Sequence, residues 1–203
     1  MNNTKEKILN TALLLFAENG YEAVSVNMIA GKLGITKGAL YKHYKNKRDI
    51  FDSIVKRMYE VDAKRSNQYD VPEEKYDTDP AGYNTVTLES IKSFTLAQFL
   101  FWTEDDFASN FRKMLSLERY RNRETAELYG NCITLGPVAY MKDIFDRMIA
   151  NGIIKPQDPK QLAIEYYAPL YLMIEMSDGS YNKKQYTELL ERHIENFITQ
   201  YKI

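Results

Sequence analysis

The sequence predicts an all-α protein, and three features of the chain support that prediction. Apolar residues recur at intervals of three and four along most of the 203 residues, which is the spacing of one buried helix face. Glycines and capping residues divide this pattern into segments of ordinary helical length. No convincing segment shows the alternation of apolar and polar residues that a half-buried strand requires.

The composition is that of a globular protein with a substantial core. Hydrophobic residues make up 44% and charged residues 27% of the chain. The single cysteine, Cys132, excludes an internal disulfide and a zinc site of several cysteines, and the two histidines lie far apart. The chain has no apolar run of about 18 residues and no secretory leader pattern. We therefore expect a cytoplasmic protein without a membrane span, metal or cofactor.

Charges are divided unevenly between the two ends of the chain. Residues 1–60 carry ten Lys or Arg and six Asp or Glu, a balance of +4, whereas residues 61–203 carry 17 and 22, a balance of −5. A basic run without any acid suits a polyanionic partner, although alone it is also typical of a solvated helix surface. The run comprises Lys32, Lys37, Lys42, Lys45, Lys47 and Arg48.

Four helices are predicted in the N-terminal part, each from a polar residue that begins it. Ser, Thr and Asn side chains accept hydrogen bonds from the first turn of a helix, and glycine adopts the left-handed conformation that closes one. Asp49, three residues after the fourth cap, forms a capping-box-like arrangement. The predicted caps are Thr4, Ser25, Thr36 and Asn46, and the first three helices end at Asn19-Gly20, Gly34 and about Tyr44.

Beyond these helices, the segment 66–85 is predicted to be a loop or linker, because it contains Pro72, Pro80 and the charge run Glu73-Glu74-Lys75. Gly136-Pro137 is predicted to break the helical pattern. We divide the chain into an N-terminal domain, residues 1–62, and a C-terminal helical domain, residues 63–203. The predicted C-terminal helices cover 86–102, 105–119, 124–135, 138–150, 158–176 and 183–201.

The second and third helices, joined by Gly34-Ile35-Thr36, form a predicted helix-turn-helix. A helix that enters the major groove of DNA needs a small, polar or basic outward face and an apolar inward face, which Leu40 and Tyr44 supply. Hydroxyls and N–H groups at a helix N-terminus suit a phosphate oxygen. The candidate contacts are Lys37, Gly38, Lys42 and His43 for the groove, and Ser25, Thr36 and Lys47 for phosphates. For His43, an exposed histidine without a role remains the alternative.

A longer set of residues identifies a relationship. It comprises Ile8-Leu9, Ala12, Leu15-Phe16, Asn19-Gly20-Tyr21-Glu22-Ala23-Val24-Ser25, Ile29-Ala30 and Leu33-Gly34-Ile35-Thr36-Lys37-Gly38-Ala39-Leu40-Tyr41-Lys42-His43-Tyr44-Lys45-Asn46-Lys47. This set resembles the DNA-binding domain of the tetracycline-repressor (TetR) family and covers residues 4 to about 60. Gly31, inside the second helix, departs from the pattern at a cost of about 1 kcal/mol relative to Ala.

The resemblance implies an N-terminal three-helix helix-turn-helix DNA-binding domain and a C-terminal helical bundle for ligand binding and dimerisation. Double-stranded DNA, a second copy of the chain and a small-molecule effector are the implied partners. By position, Tyr41 joins Ser25, Thr36 and Lys47 as a phosphate contact. The helices 158–177 and 183–201 correspond to the dimerising pair.

Nine apolar or aromatic side chains are candidates for a ligand pocket. Pockets between helices are mostly apolar with a few polar groups, and tyrosine supplies both characters. We expect a lipophilic or aromatic effector, with a cationic one possible through cation–π contact; Glu118 and Glu165 are candidate counter-charges that could equally be surface residues. Ordinary core packing remains the alternative for each of the nine. The candidates are Phe94, Phe101, Trp102, Phe111, Met114, Tyr120, Tyr129, Tyr140 and Phe145.

The resulting hypothesis is a ligand-responsive transcriptional regulator, a repressor, that binds a palindromic operator as a homodimer. Two alternatives remain open: an activator of the same fold, and a helical small-molecule-binding protein with an unused helix-turn-helix. The N-terminal charge of +4 argues against the second. No enzyme is predicted, because the glycines of the N-terminal domain follow no strand, as a dinucleotide-binding loop would.

Overall fold

The computed structural model describes residues 2–69, 71–72, 78, 80–180 and 182–203. Over these residues the chain forms eleven α-helices and one isolated antiparallel bridge, Ile154 with Lys202, so the all-α prediction is confirmed. None of the described helices is long and apolar enough to cross a bilayer. The helices are α1 (Asn2–Asn19), α2 (Val26–Lys32), α3 (Lys37–Tyr41), α4 (Lys47–Gln68), α5 (Pro80–Tyr83), α6 (Leu88–Glu104), α7 (Asp106–Glu118), α8 (Arg123–Ile133), α9 (Leu135–Ala150), α10 (Pro159–Ser177) and α11 (Lys184–Tyr201).

Local hydrogen bonds determine where α2 and α3 begin. Ser25 Oγ accepts a hydrogen bond from the Met28 N–H at 3.2 Å, and Thr36 Oγ1 accepts one from the Ala39 N–H at 3.1 Å. Both residues are therefore the N-caps that the sequence predicts. Gly34 has a φ of 65°, which allows the chain to turn between the two helices.

Helix α3 ends at Tyr41, three residues earlier than predicted. The His43 N–H donates to the Leu40 carbonyl oxygen at 2.9 Å, so the chain tightens into a turn there. Asn46 Oδ1 then accepts a hydrogen bond from the Asp49 N–H at 2.9 Å, which begins α4 as predicted.

Two further predicted helix limits are wrong. Helix α1 begins at Asn2, so Thr4 lies within it and is not its cap, because the backbone of Asn2 and Asn3 is already helical. Helix α9 begins at Leu135, so Gly136-Pro137 lies in its first turn, where proline needs no N–H partner. A Cβ on Gly136 would lie 1.9 Å from the Asn131 carbonyl oxygen, so close backbone approach requires this glycine.

The predicted linker 66–85 is partly helical. Helix α4 continues to Gln68, and α5 begins with a proline, which the first position of a helix tolerates. Tyr83 is only 2% exposed, so the segment contributes a core residue. The charge run Glu73-Glu74-Lys75 lies outside the described residues.

The helices pack into two compact units. Unit 1 comprises Met1–Asp62 and Asp105–Tyr129, and in it α1 packs along α7. Unit 2 comprises Ala63–Glu104 and Gly130–Ile203, where α10 packs against α9, α11 and α6. The two packing units therefore do not follow a single division of the chain after residue 62, because α7 packs against α1 and belongs to unit 1. The functional division into residues 1–62 and 63–203 stays a prediction.

Candidate nucleic-acid interface

Helix α3 separates its polar residues from its apolar ones. Lys37, Gly38 and Lys42 are exposed, whereas Leu40 is fully buried. Tyr44, just after the helix, is 3% exposed and completes the inner face. A small, basic outer face over an apolar inner face is the arrangement that a helix in the major groove needs.

Tyr44 fastens this inner face to α1. Its hydroxyl donates to the Lys5 carbonyl oxygen at 3.3 Å, and the Lys5 ammonium lies 5.4 Å from its ring centroid. Burial raises the pKa of Tyr44 to about 12, because the phenolate form would lose its hydration. Tyr44 is thus a neutral core residue with a satisfied hydroxyl.

The outer face is open around Gly38 and Tyr41. A Cβ on Gly38 would meet only Thr36 Oγ1, at 3.9 Å, so packing within the protein does not require glycine here. Tyr41 is 43% exposed, and the Lys37 ammonium lies 5.7 Å from its ring centroid. Backbone at Gly38, a phenol and an ammonium are therefore presented together on one side.

The two capping hydroxyls, on Ser25 and Thr36, are exposed at the N-termini of α2 and α3. Each oxygen accepts a hydrogen bond from its own helix, which leaves the hydroxyl hydrogen available as a donor to a phosphate oxygen. His43 is half-buried in the turn after α3. Its role in DNA contact stays a prediction.

Lys47, the first residue of α4, is held by the turn that follows α1. Its ammonium donates to the carbonyl oxygens of Tyr21 at 2.7 Å and Glu22 at 3.4 Å, and it lies 4.1 Å from the Tyr21 ring centroid. An ammonium has three donors, so one remains for a phosphate. The structure therefore gives the predicted contact residue a definite orientation.

Arg48 differs from the lysines of the basic run because acids neutralise it. Its guanidinium pairs with Asp52 at 2.7 Å and with both carboxylate oxygens of Glu124. Hydrogen bonds to Glu124 and Asp52 raise the pKa of Arg48, and the bond from Arg48 lowers the pKa of Glu124. Sequence distance concealed the Glu124 partner, since it lies on α8.

Of the two predicted counter-charges, Glu118 is buried and is therefore not a surface residue. It is 1% exposed and accepts a hydrogen bond from the Tyr21 N–H at 2.9 Å, within unit 1. Sequence reasoning missed this role, because no local pattern links positions 97 residues apart. Glu165 is half-buried and accepts a hydrogen bond from the Tyr201 hydroxyl at 2.9 Å.

Four of the nine ligand candidates belong to unit 1. Phe111 and Met114 are fully buried on α7, in accord with the core-packing alternative. Tyr129 is 5% exposed, with the Arg119 guanidinium 4.4 Å from its ring centroid. Tyr120 is 82% exposed, so it lines no closed pocket in this conformation.

The other five candidates belong to unit 2, where Phe94 and Tyr140 come together with ring centroids 6.4 Å apart. Two tyrosines of the predicted linker extend this pair. The Tyr69 ring centroid lies 6.0 Å from that of Phe94, and the Tyr83 ring centroid lies 6.1 Å from that of Tyr140. We call Tyr69, Tyr83, Phe94 and Tyr140 the aromatic cluster.

The remaining three candidates lie elsewhere in unit 2. Phe101 and Trp102 are neighbours with ring centroids 5.1 Å apart. Phe145 is fully buried, and its ring centroid lies 5.5 Å from that of Tyr166 and 5.3 Å from that of Phe197. Phe145 is thus part of the core between α9, α10 and α11. Among the described residues, no group of three His, Cys, Asp or Glu side chains could hold a metal ion.

Comparison with known proteins confirms the resemblance. Residues 8–54 match the family model described as bacterial regulatory proteins, tetR family. The Transposon Tn10 TetC protein of Escherichia coli is 44% identical over 55 residues, which are 27% of this chain and 28% of that protein. IcaR of Staphylococcus epidermidis, a negative transcriptional regulator of the biofilm operon icaADBC, is 36% identical over 55 residues, 27% of this chain and 30% of IcaR.

These matches span less than a third of the curated relatives' own length. The fold extends further: a solved SmeT–triclosan complex has a TM-score of 0.71 at 18% identity, and the match covers 99% of this chain and 92% of that one. SmeT is described as the repressor of the Stenotrophomonas maltophilia multidrug efflux pump SmeDEF. At this identity the likeness shows a common fold.

Proposed function

We propose that this protein, which carries a tetR-family segment at residues 8–54 and the fold of SmeT over nearly its whole length, is a DNA-binding transcriptional regulator. The observation that carries the proposal is the outer face of α3, where Lys37, Gly38, Tyr41 and Lys42 are exposed above a buried Leu40. It acts in the cytoplasm, where bacterial DNA lies. Repression is the favoured outcome, since IcaR and SmeT are both described as negative regulators.

Binding would place α3 in the major groove, with the capping hydroxyls of Ser25 and Thr36 and the Lys47 ammonium on phosphates. Phosphate contacts supply affinity and register, whereas contacts to base edges supply sequence preference. Lys37, Lys42 and His43 are the candidate base-reading residues, and Gly38 allows close backbone approach.

A homodimer is proposed because α10 leaves an apolar stripe exposed. Ile164, Ala168, Leu172 and Met176 are spaced four residues apart and are all exposed, so they lie along one face. Burying this stripe against α10 and α11 of a second copy would remove apolar surface from water. Two α3 helices related by a two-fold axis then read a near-palindrome with half-sites about 34–36 Å apart.

A lipophilic or aromatic effector is proposed to release the operator. The aromatic cluster in unit 2 combines apolar ring faces with a few polar phenol groups, which is the character of such pockets. SmeT has been solved with triclosan, an aromatic compound. The effector must bind the non-DNA-binding state of the dimer more tightly, because equal affinity for both states would shift nothing.

The proposal is tested by selecting a binding site from random DNA and titrating that site at several salt concentrations. Four to five phosphate contacts per protomer predict a log–log salt slope of roughly −7 to −9 for the dimer. Replacing Lys37, Tyr41 and Lys47 by Ala should abolish selection, whereas Lys56→Ala, which removes an exposed charge further along α4, should not. Failure to select any site would refute the proposal, and a reporter fused to the site distinguishes repression from activation.

A further inference from the structure

The turn after α1 is completed by a residue from α7. Gly20, with a φ of 80°, donates its N–H to the Phe16 carbonyl oxygen at 2.9 Å, which is the simple left-handed closure of a helix. In the fuller closure the next N–H would return to the same carbonyl. Here the Tyr21 N–H donates instead to Glu118 Oε1 at 2.9 Å. The exit of the chain from α1 is therefore set by a side chain 97 positions later.

The Glu118 carboxylate occupies a specific place. A charged group that is 1% exposed needs partners, and Oε1 has the Tyr21 N–H and the Arg121 guanidinium, the latter at 3.2 Å. A Cβ on Gly20 would lie 2.9 Å from Oε1 and would push this carboxylate aside, while the φ of 80° is what favours glycine here. The Thr125 hydroxyl donates to the Glu118 carbonyl at 2.8 Å and holds the end of α7.

The carbonyl group of Tyr21 is bound by Lys47. The peptide N–H of Tyr21 meets Glu118, and its carbonyl oxygen accepts from the Lys47 ammonium at 2.7 Å. The Tyr21 ring packs against two other aromatic rings, since its centroid lies 5.1 Å from that of Phe16 and 5.3 Å from that of Phe51. Displacing Tyr21 would therefore move the carbonyl that orients Lys47.

We propose that Glu118 is a positioning residue for DNA binding, which acts through Tyr21 to hold the Lys47 ammonium where it meets a phosphate. This inference rests on the proposed function. Without Glu118 the Tyr21 carbonyl would move and the Lys47 ammonium would leave its place at the phosphate, so one phosphate contact per protomer would be lost. Glu118 itself touches no DNA in this proposal.

A double-mutant cycle on the operator selected by the unsubstituted protein tests this inference. Glu118→Ala and Lys47→Ala should each weaken binding about tenfold and each make the salt slope of the dimer shallower by about 2, one phosphate contact per protomer. The double variant should bind no more weakly than Lys47→Ala alone, because the two residues serve one contact. If the fold-losses of operator affinity in the two single variants multiplied in the double variant, the inference would be overturned.

Three further variants separate positioning from a general loss of stability. Glu118→Asp keeps the charge, but its shorter side chain withdraws the carboxylate from the Tyr21 N–H. It should therefore show the same shallower salt slope as Glu118→Ala, and it serves as the test if Glu118→Ala folds poorly. Glu118→Gln keeps an acceptor for the Tyr21 N–H and should restore the unsubstituted salt slope. Leu115→Val, fully buried on the same helix, should lower stability with the salt slope unchanged. A shallower slope in Leu115→Val, or an unchanged slope in Glu118→Asp, would overturn the inference.

The two proposals fail in different ways. If the unsubstituted protein selects no DNA, the proposed function fails and this inference with it. If the unsubstituted protein binds an operator with a steep salt slope while Glu118→Ala and Glu118→Asp match it, only the role of Glu118 fails.

Discussion

Arg48 and Glu124, 76 positions apart, form a bidentate ion pair in which Arg48 Nη1 lies 2.8 Å from Glu124 Oε2. The pair connects the start of α4 to the start of α8 within unit 1. It also cancels a positive charge next to Lys47, the candidate phosphate contact. The positive charge that the N-terminal segment leaves available to a polyanion is therefore smaller than the sequence count of its basic run.

Removing the acid of this pair should strengthen DNA binding. In Glu124→Gln, Arg48 loses one of its two acidic partners and the potential beside Lys47 becomes more positive, so operator affinity at low salt should rise about threefold with a steeper salt slope. The matched control is Glu127→Gln, which removes the same charge from α8 where it pairs with Arg123. Equal increases in the two variants, measured by fluorescence anisotropy, would show that only net charge matters.

Gly38 should be required for binding but not for folding. Gly38→Ala meets only Thr36 Oγ1, at 3.9 Å, so the variant should fold and gain up to about 1 kcal/mol of unfolding free energy from its better helix propensity. Its operator affinity should fall at least tenfold, because the methyl group stands between the backbone and the base edges.

The control for this prediction is Gly31→Ala on α2, whose added Cβ meets nothing within 4 Å. It should gain similar stability in urea unfolding while its operator affinity stays unchanged. If both variants lost binding, or neither did, the close approach of Gly38 to DNA would be wrong.

Leu172→Glu should convert the proposed dimer to monomers. The charge falls in the middle of the exposed α10 stripe, where a dimer would have to desolvate it. Sedimentation should give the monomer mass, and operator affinity should drop at least a hundredfold because two half-sites are no longer bound together. Leu117→Glu, which alters an exposed leucine of α7, should remain dimeric; the dimer surface is elsewhere if Leu172→Glu remains dimeric as well.

Alkaline pH should destabilise the N-terminal fold through Tyr44. Burial raises the pKa of Tyr44 from 10.0 to about 12, so the folded state holds this proton more tightly than the unfolded state does. The resulting stabilisation is complete below pH 10 and is lost as the pH rises towards 12. Urea unfolding of Tyr44→Phe should therefore depend less on pH across this window than that of the unsubstituted protein. Parallel pH profiles would contradict the assignment.

Much of α2 and α3 could be predicted from the sequence, because the residues that determine these helices act locally. Ser25 and Thr36 cap helices through N–H groups three residues away, and the apolar position Leu40 follows from helical periodicity. The limits of α3 and α9 could not be predicted as well. A tight turn at His43 and a close backbone contact at Gly136 override the simple pattern of breakers.

The ligand candidates were less predictable, because aromatic residues serve cores and pockets alike. Phe145 lies in a core of aromatic rings, Tyr120 is exposed, and only Phe94 and Tyr140 join the aromatic cluster. Tyr83 entered that cluster from a segment whose prolines and charges concealed its contribution.

The sequence by itself determined the helical fold, the helix-turn-helix and the residues on its outer face, because helix periods and caps act over three or four residues. Only the tertiary structure decided which charges remain available to a polyanion and which are used within the protein. Arg48 is paired by Glu124, Lys47 is oriented by Tyr21, and Tyr21 is held by Glu118. These partners lie 26 to 97 residues apart, because α7 supplies Glu118, α8 supplies Glu124, and the start of α4 lies beside the turn after α1.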